Sequence, residues 1–245
     1  QCLARIGGRL NPDGASPFDH GARIRAEAVS QDPSIEEAEK TYCPFCEDLF
    51  DDVDNIVIRI LREIGDVEFS TIQIGYHISK ELIEEEDALR KKFGARGAQP
   101  LKSSFAVAVE SALKKELEEI EIVKELPDVM ILVDSLTLRV KAEIRPVFYY
   151  GRYRKLAKDV PQTRWPCRSC KGREGGCESC EGTGLQYPNS VQDLVGEPIR
   201  KVLLADDTSF HGMGREDIDV RCLGRGRPFV VEVKKPKIRT IDLDD

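Results

Sequence analysis

The sequence predicts an α+β protein, and three observations lead to that class. Apolar residues between Val53 and Ile64 recur at the helical period and end at Gly65, as in an amphipathic helix. Residues 129–133 form a short unbroken apolar run, typical of a buried strand, and residues 136–140 then alternate apolar with polar. Because helical and strand periods occur in one stretch without a repeat, helices and strands should share a core.

The remaining elements follow in chain order. Before the cysteine-rich segment we expect a helix around residues 21–29, a strand within 67–72, a charged helix from Ser79 to Phe93, a helix at 103–117 and a strand at 147–150. The acidic run at 84–86 should lie on a solvated face of the charged helix. After the cysteine-rich segment we expect short helices beginning at Ser190 and Pro198, then a loop over 206–214 and a hairpin.

Length and composition limit the kind of protein. The 245 residues are enough for two domains, and no apolar run approaches the length of a membrane span. We expect a protein without a signal peptide that resides in the cytoplasm. The chain begins at Gln1 without a Met and stops at Asp245 just after a strand-like run, so we expect it to be clipped at both ends.

Charge is distributed unevenly along the chain. The net charge of -7 does not itself suggest a nucleic-acid partner. Between Lys141 and Arg173, however, basic residues oppose only Glu143 and Asp159, and aromatic residues lie among them. Basic side chains bind phosphates and aromatic faces stack on unpaired bases, so the mixture suits RNA. A strand with core aromatics and a solvated basic turn explains the same pattern equally well.

Four cysteines form a metal-type motif. Cys167, Cys170, Cys177 and Cys180 make two C-x2-C pairs separated by six residues, a spacing at which four thiolates can surround zinc. Such a site would be structural, because four thiolates leave no position for water. Two disulfides are the alternative, which a reducing compartment disfavours.

A second cysteine pair lacks a complete partner. Cys43 and Cys46 form another C-x2-C pair, and Cys2 is the one other cysteine upstream. A cysteine three residues before Cys2 would complete a second four-thiolate zinc site. A redox C-x-x-C is the alternative, but an acidic stretch follows the pair rather than a clear helix.

The segment 214–221 carries the strongest chemical signal. Asp217 and Asp219 alternate with apolar residues and lie between Arg215 and Arg221, which predicts a strand with both carboxylates on one face. A carboxylate among arginines tends to stay ionised, because the positive charge lowers its pKa, and this suits a nucleophile or a base. A solvated hairpin with ordinary surface ion pairs explains the spacing equally well.

Several motifs together resemble one family. Gly-Arg-Glu-Asp at 214–217 resembles the Gly-Arg-x-Asp signature of pseudouridine synthases, and the wider run through Arg227-Pro228-Phe229 is similar to the archaeal and eukaryotic tRNA pseudouridine synthase family numbered ten. The stretches at 151–155 and 161–165, with the cysteines directly after Trp165, match the archaeal members. Cys2-Leu3-Ala4-Arg5 resembles the family's N-terminal Cys-Leu-Gly-Arg, with Ala4 in place of Gly.

The resemblance implies a fold and a site. It implies an N-terminal zinc-knuckle segment at 1–50, a THUMP-like RNA-binding domain at 51–160, a zinc knuckle at 161–189 and the start of a mixed-sheet catalytic domain at 190–245. Asp217 takes the position of the catalytic aspartate, and Arg215 that of a residue that binds the phosphate and fills the gap left by a flipped uridine. The remaining RNA-binding residues that we expect are Arg152, Arg154, Lys155, Arg164, Arg221 and Arg227.

The resemblance also implies a reaction and partners. The substrate is tRNA, with uridines 54 and 55 of the TΨC arm as targets, and catalysis needs no organic cofactor. We expect a monomer without an obligate protein partner and with structural zinc. The family's later motifs have no counterpart here, so we expect this chain alone to be inactive. The alternative is a zinc-stabilised tRNA-binding module without chemistry of its own. A tRNA thiolase or methyltransferase would need a Gly-rich nucleotide-binding loop, which we do not find.

Overall fold

The computed structural model describes residues 2–7, 16–35, 42–43, 46–93 and 97–241. The described residues fall into two compact units, one within 1–65 and 70–143, the other within 66–69 and 144–245. Both contain helices and a sheet, so the α+β prediction is confirmed. The division into four functional segments remains a prediction. It placed residues 147–155 in the THUMP-like segment, whereas the strand at 147–155 belongs to the second sheet.

The first unit is built on a four-stranded sheet. Its strands are β1 (Thr71–His77), β2 (Glu121–Ile122), β3 (Val129–Asp134) and β4 (Arg139–Ile144), in the order β2-β1-β3-β4. β1 runs parallel to β2 and β3, with Ile72 opposite Val129. Parallel neighbours need a crossover, which α4 (Lys80–Phe93) and α5 (Leu101–Glu116) provide between β1 and β2.

Helices α3 (Val53–Ile64) and α5 supply the core of this unit. Alternate side chains of β1 and β3 and one face of each helix are buried together; fully buried among them are Ile56, Ile60, Ile72, Leu101, Phe105, Val109, Leu113, Val129, Ile131 and Val133. Phe105 packs edge-on against Tyr76, with ring centroids 5.5 Å apart. Burial of each such side chain contributes about 1.5–3 kcal/mol.

A buried ion pair connects the N-terminal segment to α5. In the described part of the chain two α-helices precede α3, namely α1 (Cys2–Gly7) and α2 (Pro17–Gln31). Arg5 of α1 pairs with Glu86 of α4, and both side chains are 4% exposed. The Glu86 carboxylate also accepts the backbone N–H of Leu101 at 2.9 Å, where α5 begins. The expectation of a solvated face was therefore wrong for Glu86, because its carboxylate pairs with a buried arginine and caps a helix.

The second unit is built on an antiparallel sheet. Its strands are β5 (Val147–Lys155), β6 (Asp207–Gly212) and β7 (Cys222–Lys234), in the order β5-β7-β6. Helix α6 (Val191–Val202) begins at Ser190, whose hydroxyl accepts the Asp193 N–H in a capping box. The core contains Leu203, Ala205, Val231 and Val233, with Val195 and Ile199 of α6 packed against it.

Two predictions about this unit were wrong. The loop expected at 206–214 contains strand β6, in which Thr208 is buried and Ser209 faces Glu232 across the ladder. The strand expected through Ile218 and Val220 is a turn. Its polar and apolar residues alternate, but the backbone of this segment bonds to side chains and loops rather than to a neighbouring strand.

Two boundaries also differ. A single helix replaces the two expected at Ser190 and Pro198, because α6 continues through Pro198 and keeps Ile199 packed on the core. The expected strand at 67–72 begins only at Thr71, since Glu68 donates its backbone N–H to Lys237 O in the second unit at 2.7 Å.

Candidate catalytic loop and cysteine sites

The loop 213–221 joins β6 to β7 and carries Asp217, whose side chain is exposed. The backbone of this loop is held by Lys155, the last residue of β5, which is 5% exposed. The Lys155 ammonium donates to Asp217 O at 2.9 Å, to Ile218 O at 3.2 Å and to Val160 O at 3.1 Å. The N–H of Asp159 donates to Ile218 O at 2.9 Å. Asp217 therefore presents an exposed carboxylate from an anchored backbone.

Glu216 points the other way and is 7% exposed. Both of its carboxylate oxygens lie 2.7 Å from the Tyr153 hydroxyl, which donates to them. Gln162 Nε2 donates to the same carboxylate at 3.1 Å, and Arg227 Nε pairs with it at 3.1 Å. Burial raises the pKa of Tyr153 to about 12, so its hydroxyl is a neutral donor. We call Tyr153, Gln162, Glu216 and Arg227 the loop anchor.

The loop anchor also fixes the first residues of the loop. Gln162 Nε2 donates to Gly214 O at 2.9 Å, and Arg227 Nη1 donates to Met213 O at 3.2 Å. Gly214 has φ +77°, and a Cβ there would lie 2.9 Å from Arg227 Nη1. The positive φ therefore favours glycine at 214, and a larger residue there would also displace the Arg227 guanidinium.

Sequence reasoning missed Glu216, Tyr153 and Gln162 as a group. All three lie in the stretches that carry the family resemblance, which is the signal that could have found them. Their burial was not visible, because a glutamate beside an aspartate in a charged segment has the pattern of a solvated turn.

The residues predicted to bind RNA lie in different environments. Arg152 and Arg154 are exposed on one face of β5, as are Phe148 and Tyr150. Arg152 donates from Nε to Arg225 O at 2.9 Å and from Nη2 to Gly226 O at 2.8 Å. This strand face therefore combines cations with aromatic rings, as the sequence predicted for the segment.

The other predicted RNA contacts divide into paired and exposed side chains. Lys155 and Arg227 belong to the support of the loop, and Arg164 pairs with Asp193 and, at 3.7 Å, with Glu197. Arg215 and Arg221 are exposed in the loop itself. Arg227 pairs with Glu216, since a buried carboxylate has a great need of a cation.

The structure brings the four cysteines of 167–180 together. Their sulfurs all lie within 4.8 Å of one another, with Cys167–Cys177 and Cys170–Cys180 at 3.9 Å and Cys177–Cys180 at 3.7 Å. A tetrahedral ion with metal–sulfur bonds of about 2.3 Å places its sulfurs about 3.8 Å apart. The cluster therefore has the dimensions of a four-thiolate metal site.

The turns around these cysteines are two similar knuckles. In each, the second cysteine is followed by two residues of positive φ, Lys171 and Gly172 in one and Glu181 and Gly182 in the other. Cys180 Sγ accepts N–H groups from Cys177 and Gly184, each at 3.2 Å. The hydrogen bond from Cys177 is the largest cause that lowers the pKa of the Cys180 thiol, to about 6, which favours the thiolate that a metal binds.

Cys2, Cys43 and Cys46 form a second cluster in the first unit. Their sulfurs also lie within 4.8 Å of one another, although the cysteines come from separate segments. A hydrogen bond with Cys46 and the charge of Arg5 lower the pKa of Cys2 to about 5 against the opposing effect of burial. Three ligands for a metal ion are thus present among the described residues.

Comparisons with known proteins agree with this architecture. The family model described as "Pus10 THUMP domain, archaeal" matches residues 56–134, and that described as "Pus10, C-terminal" matches residues 148–245. The fold and the first match define a THUMP-containing protein. Together the two matches show that the chain belongs to the Pus10 family, as the motifs predicted. No helix in the described ranges is long and apolar enough to cross a membrane.

Curated relatives come from several archaea. The chain is 37% identical to the tRNA pseudouridine synthase Pus10 of Methanococcus voltae over 92% of its length and 43% of the relative. It is 38% identical to the protein of that name from Methanothermobacter marburgensis, over 91% of the chain and 55% of the relative. For Halorubrum lacusprofundi the identity is 37%, over 97% and 58%. The chain thus spans about half the length of the curated relatives it matches.

Proposed function

We propose that this chain is the THUMP-containing and loop-bearing part of a tRNA pseudouridine synthase, with Asp217 as the catalytic carboxylate. The observation that carries the proposal is the loop 213–221, in which Asp217 is exposed while its backbone is anchored by Lys155 and its neighbour Glu216 is buried. An anchored backbone with one exposed carboxylate suits a reaction that needs a carboxylate at a fixed point.

The chemistry requires one carboxylate beside the sugar. The bond between uracil N1 and C1′ breaks, the base turns, and C5 bonds to C1′ while the C5 proton leaves to solvent and N1 gains a proton. Asp217 acts either as the nucleophile at C1′ or as the base at C2′. The uridine must leave the helical stack, and Arg215, exposed two residues before Asp217, is the side chain proposed to bind the neighbouring phosphate and fill the gap.

The proposed substrate is the TΨC arm of tRNA, with uridines 54 and 55 as the targets. The names of the relatives support tRNA as the substrate, and the arm follows from the family resemblance alone. The exposed face of β5 supplies both phosphate contacts, through Arg152 and Arg154, and stacking surfaces, through Phe148 and Tyr150.

We propose zinc as the ion of both cysteine clusters. Four thiolates at tetrahedral spacing favour zinc, and such a closed site contributes to folding rather than to the reaction. The second cluster would need a fourth ligand beyond Cys2, Cys43 and Cys46. Because thiols that bind a metal must stay reduced, we propose the cytoplasm as the location of the protein. We also propose that it is a monomer.

The runner-up is a tRNA-binding module without chemistry of its own. The exposed basic and aromatic face of β5 favours it, because that face requires no catalytic residue. The two functions separate in one experiment: the full-length protein is incubated with an unmodified tRNA transcript, and pseudouridine is mapped along the RNA by carbodiimide labelling. The synthase produces signal in the TΨC arm, whereas binding without signal would support the module.

A further inference from the structure

Trp165, the single tryptophan of the chain, is fixed at the entrance of the four-cysteine segment. Its carbonyl accepts the Gln186 N–H at 2.9 Å, and the adjacent Pro166 pairs with Leu185 in an isolated bridge. Tyr187 packs edge-on against the indole, with centroids 5.5 Å apart. The two segments that flank the cysteine knuckles therefore fix the backbone of Trp165 and one side of its ring.

The indole also contacts the loop that carries Asp217. The Arg215 guanidinium carbon lies 5.4 Å from the centroid of the Trp165 ring, within the range of a cation–π interaction. Arg215 is exposed, and it lies two residues before Asp217. One aromatic ring thus joins the cysteine segment to the proposed catalytic loop within the same unit.

The geometry points to Trp165 as a positioning residue that preorganises Arg215 for the RNA backbone, and so couples the four-cysteine site to the loop. The inference deepens the proposed function and rests on it. When a planar guanidinium stacks on an aromatic ring, the face of the guanidinium contacts the ring. The five N–H donors at the edge of the guanidinium stay free for phosphate oxygens. An arginine already restrained in this way loses less conformational freedom when it binds RNA.

A hydrogen bond from the indole nitrogen does not explain why tryptophan rather than phenylalanine is present at position 165. Within the described residues Trp165 Nε1 is buried without a hydrogen-bond partner, which is a cost that phenylalanine would avoid. Trp offers the strongest face of the aromatic residues to a cation, whereas Phe fills much of the same space with a weaker one. The choice of residue therefore fits a role that depends on the ring face.

A double-mutant cycle on tRNA affinity tests the coupling in the full-length protein. We expect Trp165→Leu and Arg215→Ala each to weaken binding, and the double variant to bind no worse than Arg215→Ala. The coupling should be about two- to thirtyfold, the range of a cation–π contact. The tRNA affinity of Trp165→Phe should lie between those of wild type and Trp165→Leu. Arg168→Ala is the control, because it removes an exposed cation from the same segment, and its effect on affinity should show no coupling to position 165.

Independent losses from the two single variants would overturn the inference, since Trp165 would then act without Arg215. Equal effects of Phe and Leu would do the same. Trp165→Phe guards against a folding defect, because it preserves an aromatic ring against Tyr187, and its melting temperature is compared with wild type before any binding is interpreted.

Fluorescence supplies a test that needs neither RNA nor catalysis. In the 245-residue chain Trp165 is the single tryptophan, so its emission reports the contact directly: Arg215→Ala should change it, and Arg168→Ala should not. Removal of metal by a strong chelator should also shift the emission of the wild-type chain to longer wavelength as the knuckles open. Unchanged emission in Arg215→Ala would contradict the contact. If the proposed function failed instead, no pseudouridine would form while these fluorescence changes remained.

Discussion

At the scale of single residues, adjacent acidic side chains have opposite environments. Asp217 is exposed, whereas Glu216 is buried among Tyr153, Gln162 and Arg227. The sequence predicted the importance of Asp217 through the Gly-Arg-x-Asp motif. It could not predict the role of Glu216, because the partners of that carboxylate come from β5, from the segment before the cysteines and from β7, which only the fold brings together.

The buried carboxylate leads to a stability prediction. Glu216→Ala should lower the free energy of unfolding by about 3–5 kcal/mol, because it leaves the partly buried Arg227 without its counter-ion. Glu216→Gln should cost less, since it keeps a hydrogen-bonding side chain. Denaturant unfolding measures both. Asp207→Asn is the matched control: it removes an exposed carboxylate that pairs with Lys234 in the same sheet, and it should cost about 0–1 kcal/mol. Equal losses in Glu216→Ala and Asp207→Asn would contradict the loop anchor.

Lys155 and Arg154 give a second residue-scale prediction. Both were predicted to bind RNA, but Lys155 is buried on backbone carbonyls and Arg154 is exposed. Arg154→Met should therefore lower the slope of log affinity against log salt by about 0.7–0.9. Lys155→Met should leave that slope unchanged and destabilise the chain, because it frees Asp217 O and Ile218 O. A tRNA titration at several salt concentrations distinguishes them, and a smaller salt slope for Lys155→Met would show that its charge does reach the RNA.

At the scale of elements, regular patterns were predicted best. Helix α3 and strand β3 appear where their periods placed them, since one face of each packs on a core. Strand β6 was missed because Gly212 and neighbouring polar residues have turn composition, and only the ladder with β7 makes the segment extended. The continuity of α6 through Pro198 likewise depends on packing of Ile199 that no local signal shows.

The exposed face of β5 leads to a prediction at this scale. Replacing Arg152 and Arg154 with Ala should weaken tRNA binding and lower the salt slope by about 0.7–0.9 for each phosphate that is no longer bound. Replacing Phe148 and Tyr150 with Ala should weaken binding without changing the salt slope, because stacking releases no counterions. Lys201→Ala together with Lys235→Ala, which removes two exposed charges of the same unit that are not among the predicted RNA contacts, is the control for net charge. If the control variant lost as much tRNA affinity as the Arg152 and Arg154 variant, the assignment of the β5 face as an RNA-binding surface would be contradicted.

The four-cysteine element should bind one zinc ion. Native mass spectrometry of the freshly purified chain should show an added mass that corresponds to zinc and that disappears in a variant with Cys170→Ser and Cys180→Ser. The same variant should unfold at lower temperature, because metal binding to such a site contributes folding free energy. Disulfides between these cysteines in the purified protein, or a wild-type mass without metal, would contradict the site. Cys222→Ser is the control for removal of a thiol outside both clusters.

At the scale of the whole molecule, the sequence predicted the family and a candidate catalytic aspartate from motifs, while the fold shows how the loop is supported. Among the described residues, each compact unit has one metal-type cysteine cluster. The second unit also carries the exposed catalytic candidate on its own sheet. What could not be predicted in advance is the set of buried polar contacts under the loop, since these depend on residues more than fifty positions apart in the sequence.

The measurement that tests the central claim most directly is release of tritium from tRNA labelled at C5 of uridine, because formation of pseudouridine frees that hydrogen. The full-length wild-type protein should release tritium in proportion to the pseudouridine formed. Asp217→Asn should abolish release while tRNA affinity stays within a few-fold, since the change removes charge but little volume, and Asp219→Asn should retain release. Near-normal release by Asp217→Asn, with loss in Asp219→Asn, would contradict the assignment of Asp217 as the catalytic carboxylate.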